Sequence, residues 1–389
     1  MNSKNSLSSA ASTGLPWHAG QIKVLRTLHL AGKATRAELS GATGLSPQSL
    51  TRITQELISG GYVQEVKRRH TGGMGQPAIE MSLAPGRLLS IGLVLEHDRI
   101  TCVTSDLAKG VTHRLSRDGE FLSAKLGTKV SVELVTKALK AIPKDATLLG
   151  LGISQSGFFF DLPTQRMISK ADIEGWMQID LAEHMRRRFS IDVVIENDGS
   201  AAAAGHLVHG VGMRYRSFFL VYMTRGLGGG VVYERQLWRG RSGNAGEIGT
   251  LLPELSKGLA RPSLENLTNR LSKAWNRPAS IEEIETALSR KDPALASWID
   301  EAAGVLRGAL ISICAILDPE AVILAGRMPL SIRMALADRL NLRGVTFVGI
   351  SAPPPDVVVD PDSDCLEHGA AALPVTRFFA RHVDKINSL

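Results

Sequence analysis

Gln48, Ser49, Thr51 and Arg52 place an amide, two hydroxyls and a guanidinium on one short run of chain. Such groups read base edges in a DNA major groove, where glutamine pairs with adenine and arginine with guanine, and the hydroxyls reach bases or phosphates. Leu50, Ile53 and Leu57 recur at helical spacing and would point inward, leaving the polar set and Gln55 outside. A second chemically suggestive run follows. Lys67-Arg68-Arg69-His70 precedes Gly72, Gly73, Gly75 and Gln76, a basic and flexible tip suited to the phosphate backbone or the minor groove.

The elements needed to position these groups are also written in the chain. Ile22, Leu25 and Leu28 form one face of a first helix within Trp17–Ala31, closed by Gly32. Thr35 with Glu38 makes a capping-box pattern for a second helix, Arg36–Thr43, and Gly44 supplies the turn. Ser46 and Pro47 are an N-cap and first-turn residue for the third helix, which Gly60–Gly61 ends. Tyr62–Val66 reads as a strand, and Ile79, Met81 and Leu83 alternate on a return strand. The whole predicts a winged helix-turn-helix. A small helical bundle for protein contacts would share the helices but has no need of the basic hairpin.

Charge points the same way. Residues 1–87 hold ten Lys/Arg against four Glu, a net +6 out of +7 for the 389-residue chain. A basic quarter on a near-neutral body is the footprint of a nucleic-acid-binding module joined to something else, although a solvated basic surface would look similar. Cys102, Cys314 and Cys365 form no CxxC or CxC pair, which excludes a disulfide scaffold and a cysteine-rich zinc motif and suits a reducing cytoplasm. No metal or cofactor is expected. The uncharged stretch Ala146–Phe160 is broken by Gly, Ser and Gln and reads as a strand plus turn, not a membrane span. Met1–Gly14 is polar and reads as a disordered lead-in.

Beyond Pro85–Gly86, three strands are expected at Leu88–Leu95, Arg99–Leu107 and Val111–Leu115, then a helix around Val130–Ala141 and a buried strand, Leu148–Ser154. A strand at Asp192–Ile195 leads to Asn197–Asp198 and an Ala-rich helix. Phe218–Thr224, a Gly-rich turn at Gly226–Gly230 and Val231–Glu234 open a second lobe. Helices at Ile281–Leu288 and Ala294–Leu317 lead to the strand Val322–Ala325. Three strands followed by alternating helices and strands indicate an α/β body.

From about residue 17 to the C-terminus the chain resembles the ROK family, which groups sugar-responsive repressors with sugar kinases. The resemblance is carried by Gly175-Trp176, Glu196-Asn197-Asp198, Gly226-Leu227-Gly228-Gly229-Gly230, Ala245-Gly246-Glu247-Ile248-Gly249 and the wing sequence Gly73-Met74-Gly75-Gln76-Pro77. It implies an α/β fold: an N-terminal winged helix-turn-helix followed by a two-lobed actin-like ATPase (ribonuclease-H-like) sugar-kinase fold. The expected division is a lead-in at 1–16, the winged helix at 17–87, a first lobe from 88–199 plus 366–389, and a second lobe with an oligomerisation surface at 200–365.

The resemblance also implies roles. Asn197 and Asp198 match the family's sugar-binding pair, Glu247 its sugar-contacting Glu, and Glu265 falls where another is expected; Asp172 and Trp176 complete the set. The alternative for Asp198 is a helix N-cap, and for Trp176 it is packing. In the family's kinases the first strand leads into an Asp and then a Gly-Gly-Thr turn. This chain has Val94-Leu95-Glu96-His97-Asp98 there, with two carboxylates where a polyanion would lie. Arg225 replaces a small Thr, and Ala325-Gly326-Arg327 has lost a glycine. Thr250 stands for the usual His, and 251–265 lacks the family's Cys-rich zinc motif.

Taken together these features predict a non-catalytic regulator, a repressor in the first instance. It would be a cytoplasmic homodimer or tetramer that reads an inverted-repeat operator in double-stranded DNA and senses a carbohydrate-like effector. The alternatives are an active ATP-dependent sugar kinase with a DNA-binding head, and a DNA-bound scaffold without a ligand.

Overall fold

The computed structural model describes residues 17–66, 78–121, 123–161, 166–168, 179–251, 259–343, 346–347, 350–351, 353–362 and 365–380. The chain divides into two compact units. One comprises Met1–Ile153, Ile173–Ile195 and Ala371–Leu389, the other Ser154–Asp172 and Glu196–Ala370.

The first unit opens with three helices, α1 (Ala19–Ala31), α2 (Arg36–Thr43) and α3 (Pro47–Ser59). Each has the start that the sequence encodes. Thr35 and Glu38 close a capping box on α2, the Ser46 side chain accepts from Ser49 N–H, and Pro47 sits in the first turn of α3. A cap of this kind contributes about 1 kcal/mol. The apolar faces converge: Ile22, Val24, Leu25, Leu28, Leu39, Leu50, Ile53 and Leu57 are buried. Strands β1 (Ala34–Thr35), β2 (Val63–Val66) and β3 (Glu80–Leu83) form an antiparallel sheet in the order β1-β3-β2. The two-residue β1 carries too few positions to show a pattern in the sequence. The expected wing tip, 67–77, lies outside the described residues.

A five-stranded sheet follows in the same unit. Strands β4 (Leu88–Leu95), β5 (Arg99–Asp106) and β6 (Gly110–Asp118) form an antiparallel meander, helix α4 (Ala124–Ala141) packs on it, and β7 (Thr147–Gln155) lies beside β4. All of β4 is buried, as its near-continuous apolar run requires of a central strand. Helix α4 begins six residues before the expected Val130, because Ser123 makes no side-chain cap and leaves no start signal to read. After the short pair β8 (Phe158–Asp161) and β9 (Arg166–Ile168), helix α5 (Leu181–Phe189) leads to β10 (Val193–Glu196), which completes the sheet order β10-β7-β4-β5-β6.

Helix α6 (Asp198–His209) belongs to the second unit, as does a sheet built from β11 (Phe218–Met223), β12 (Leu227–Tyr233) and β13 (Gln236–Leu237). Helices α7 (Leu264–Trp275), α8 (Ile281–Ser289) and α9 (Pro293–Leu317) precede β14 (Ala321–Ala325) and α10 (Leu330–Ala337). The pair β15 (Thr346–Phe347) and β16 (Ile350–Ser351), strand β17 (Asp356–Val359) and helix α11 (Cys365–Ala380) are the last elements among the described residues. The sheet order is β13-β12-β11-β14-β17, antiparallel among its first three strands and parallel from β11 to β17. Trp298, Leu306, Leu310, Val322, Leu324 and Ile332 pack into its core. Burying a side chain of this size stabilises by about 1.5–3 kcal/mol.

One expectation needs correction. The sequence predicts a turn at Gly226–Gly230, but glycines 228–230 lie within β12, paired across to Tyr222, Val221 and Leu220 of β11. Their lack of a Cβ has a packing cause. A Cβ at Gly230 would come within 2.6 Å of the Gly199 carbonyl oxygen, and one at Gly229 within 2.6 Å of the Gly246 carbonyl oxygen. The strand presses its backbone against the start of α6 on one side and the 246–249 loop on the other.

Candidate functional site

The outer face of α3 is a shallow concavity lined by Gln48, Thr51, Arg52, Gln55, Glu56 and Ser59. Gln48, Thr51 and Arg52 are exposed, and Ser49 is half-buried with its hydroxyl joined to Ser46 at 3.0 Å. The inward side, Leu50, Ile53 and Leu57, fixes which face is left outside. Gln48, Ser49, Thr51 and Arg52 therefore lie along one helix. Arg68, Arg69, Gly75 and Gln76 fall outside the described residues.

Glu56 was not singled out in the sequence, yet it organises this face. It accepts from Arg52 Nη1 at 2.6 Å and Gln21 Nε2 at 3.2 Å, and its carboxylate lies 3.4 Å from His18 Nε2. Desolvation, the largest single contribution, raises its pKa, but the contacts with His18 and Arg52 together outweigh it and hold the carboxyl below its ordinary value. Arg52 is thus held in an orientation set by a carboxylate one turn away. The signal in the sequence was the i, i+4 spacing of the two charges.

In the second unit, the local geometry is set by the start of α6. Asn197 is 1 % exposed and is the helix N-cap: its Oδ1 accepts from Ser200 N–H at 2.7 Å. Its Nδ2 donates to Glu247 Oε1 at 2.6 Å. One amide therefore ties the helix start to the Ala245–Gly249 loop. Asp198 is the first helical residue, half-buried, with Oδ1 accepting from Gly199 N–H at 3.0 Å. The expected alternative of Asp198 as the cap is corrected: the cap is Asn197. Asp198 then sits where the partial positive charge of a helix N-terminus favours a carboxylate.

Close backbone contact keeps the set rigid. A Cβ on Gly199 would stand 2.3 Å from the Gly229 carbonyl oxygen, and one on Gly228 would stand 3.8 Å from Asp198 Oδ1. Thr250, in place of histidine, donates its hydroxyl to the Glu247 carbonyl at 2.7 Å and closes a short 3-10 turn. Glu265 opens α7 in an exposed position, 3.7 Å from the Arg225 guanidinium. Arg225 and Glu265 are also joined through their backbones, Glu265 N–H donating to the Arg225 carbonyl at 3.3 Å. Asp172 and Trp176 lie outside the described residues.

Glu196 enters the sequence reading only as part of a motif, and the structure makes it a buried carboxyl. It is 1 % exposed and paired with Arg239 Nε. Burial pushes its pKa up, and the Arg239 charge opposes that only in part. The available signal was a carboxylate closing the apolar strand Val193–Ile195. Half-buried Asp198 and Glu247 can accept from clustered hydroxyl groups, the chemistry a carbohydrate presents, while buried Asn197 holds Glu247 in place.

The ROK family matches residues 128–341, and a winged helix-turn-helix DNA-binding family matches residues 21–64. The chain is 25 % identical over 216 residues to the xylose repressor of Bacillus subtilis (strain 168), an alignment covering 55 % of each protein. The chain thus matches about half the length of that relative. A solved ROK family transcriptional regulator, homologous to the Escherichia coli MLC protein, aligns with a TM-score of 0.67 at 18 % identity, covering 94 % of this chain and 99 % of that one. The ROK hexokinase of Thermus thermophilus aligns with a TM-score of 0.59 at 22 % identity, covering 73 % and 97 %. The regulator and the kinase share this fold. Among the described residues no helix is long and apolar enough to cross a membrane.

Proposed function

The chain belongs to the ROK family, and on that premise we propose that it is a DNA-binding transcription regulator whose operator affinity responds to a carbohydrate or carbohydrate derivative. The observation that carries this reading is a winged helix with an exposed polar α3 face, in the same chain as a ROK domain in which Asn197 hydrogen-bonds Glu247. Gln48, Ser49, Thr51 and Arg52 read bases, and Arg68, Arg69, Gly75 and Gln76 of the wing engage the backbone. Asn197, Asp198, Glu247 and Glu265, with Asp172 and Trp176, receive the effector. Two copies, as a homodimer or within a tetramer, place two α3 helices on an inverted repeat with half-sites about 34–36 Å apart, or a multiple of that. Acting on DNA, the protein works in the cytoplasm, as a repressor in the first instance.

The competing reading is an ATP-dependent sugar kinase bearing a DNA-binding head. It draws on Asp198 and on the fold shared with a hexokinase. Against it stands the first turn of the body. Val94 is 2 % exposed inside β4, and Glu96 and Asp98 occupy the turn after it. Both carboxylates act electrostatically on Arg99, which partly offsets their repulsion of a polyanion, but no small residue remains there to admit a phosphate. Arg225, engaged by Glu265, occupies a second turn.

The experiment is a DNA-binding titration of the full chain against a selected inverted-repeat duplex, with and without a panel of sugars, run beside an ATP-turnover assay on the same panel. Sugar-dependent operator affinity without turnover supports the proposal. Turnover that Asp198→Asn abolishes would replace it with the kinase.

A further inference from the structure

His206, Asp360 and Cys365 come together in the second unit although they lie on three separate elements. His206 is on α6, Asp360 directly follows β17, and Cys365 opens α11. Their exposures are 3 %, 3 % and 4 %, and one ligand atom from each lies within 4.8 Å of the others. His206 Nε2 and Asp360 Oδ2 are 3.4 Å apart. Among the described residues, neither ring nitrogen of His206 nor Asp360 Oδ2 has a hydrogen-bond partner. Three unsatisfied buried atoms in one spot are costly, because each has lost water without gaining a replacement.

The surroundings orient this cluster instead of satisfying it. Asp360 Oδ1 accepts from Asp362 N–H at 3.2 Å, which leaves Oδ2 aimed at the histidine. Arg333, 1 % exposed, spends its guanidinium on the backbone carbonyls of Met328, Leu324 and Asp360, so its charge lies near the carboxylate while its donors go elsewhere. The Gly326 N–H is directed at the Cys365 sulfur. Glycines make the approach possible. A Cβ at Gly210 would fall 2.4 Å from His206 Nδ1, and one at Gly369 would fall 2.3 Å from the Ala201 carbonyl oxygen. The backbone is cut away so that α6 and α11 can bring the imidazole to the thiol.

We propose that His206, Asp360 and Cys365 bind a divalent zinc ion that staples α6, the end of β17 and the start of α11. The donor set, one imidazole, one carboxylate and one thiolate, is the mixed N/O/S chemistry that zinc takes. Bond lengths of about 2.0–2.3 Å place tetrahedral donors roughly 3.3–3.8 Å apart, so the His206–Asp360 spacing already fits and the widest gap closes by about 1 Å. Zinc carries two positive charges, and the carboxylate and thiolate neutralise both. A water completes the fourth position. On binding, Cys365 loses its proton to solvent as the sulfur–zinc bond forms, with no change of oxidation state. Asp198 and His206 are eight residues apart on α6, roughly 12 Å along its axis. The ion would therefore brace the helix whose first turn carries Asn197 and Asp198. It is separate from the 251–265 segment, which has no Cys or His.

The test is elemental analysis of the purified full chain after tag removal, followed by replacement of the metal with Co²⁺. The expected result is about one zinc per chain, lost in Cys365→Ser and in His206→Gln, together with a thiolate-to-cobalt charge-transfer band absent from Cys365→Ser. Should both variants fail to fold, the wild-type chain alone decides. Less than roughly 0.1 zinc per chain, with no charge-transfer band on titrating cobalt into the metal-free protein, overturns the proposal. So does stoichiometric zinc that survives Cys365→Ser, since the ion would then lie elsewhere.

Discussion

Replacing Asn197 with serine separates its two tasks. The Oδ1 atom caps α6, and the Nδ2 atom holds Glu247 at 2.6 Å. Serine is as good an N-cap as asparagine, so the helix start keeps its acceptor, but the hydroxyl is too short to reach Glu247. A hydrogen bond to a charged group contributes about 1.5–3 kcal/mol, and half-buried Glu247 can recover part of that from water, so Asn197→Ser should cost about 1–2 kcal/mol. Asn197→Ala loses the cap as well and should cost about 1 kcal/mol more. Asn197→Asp keeps the cap but sets a second carboxylate against Glu247. At about 4 Å and an effective dielectric near 20 the repulsion is about 4 kcal/mol before a proton is taken up. That variant should therefore lie below Asn197→Ser at pH 7 and recover toward pH 5. Its raised carboxyl pKa contributes stability at low pH that is lost as the pH rises. Urea unfolding at constant m-value measures all three. An Asn197→Ser midpoint equal to wild type, or an Asp variant at pH 7 that matches it, would refute the two-task assignment.

Arg52→Ala and Gln48→Ala should each weaken binding to the selected operator by about 1–3 kcal/mol while leaving random-sequence DNA little affected, read by fluorescence anisotropy. Arg68→Ala and Arg69→Ala should lower affinity on all sequences and reduce the salt dependence by about one unit of slope each. Glu56→Gln removes a negative charge from the α3 face and unties Arg52, so non-specific affinity should rise and the operator-to-random ratio fall. Gly199→Ala sets a methyl group 2.3 Å from the rigid Gly229 carbonyl and should destabilise by about 3 kcal/mol or more, seen as a lowered melting midpoint. The raised pKa of buried Glu196 predicts that stability relative to Glu196→Gln is greatest below the ordinary carboxylate value of 4.5 and declines as the pH rises through its folded pKa; paired urea titrations across that range measure the difference.

The winged helix was legible because its signals are local. Thr35 with Glu38, Ser46 with Pro47, and the 3.6-residue apolar stripe each specify structure within one turn, and α2 and α3 fall where those residues put them. The central strand β4 was legible for the same reason, as an apolar run at Leu88–Leu95. What stayed hidden depends on contacts between distant positions. The glycines 228–230 look like a turn until the backbones of α6 and the 246–249 loop are seen pressing on them. Helix α4 starts without a side-chain cap, and β1 is too short to carry a period. Asn197 and Glu247 were each picked out by motif, but their hydrogen bond joins positions 50 residues apart. His206 and Cys365 gave no motif at all, since their ligand-like chemistry exists only once α6 and α11 are packed together.

The most direct measurement is the affinity of the full chain for its selected inverted-repeat duplex, taken at fixed salt with and without each carbohydrate of a panel. A regulator whose two states differ in ligand affinity should show at least one sugar or sugar derivative that shifts operator affinity by about 5–150-fold. Affinity for that duplex no tighter than for random DNA, and indifferent to every sugar tested, would contradict the account.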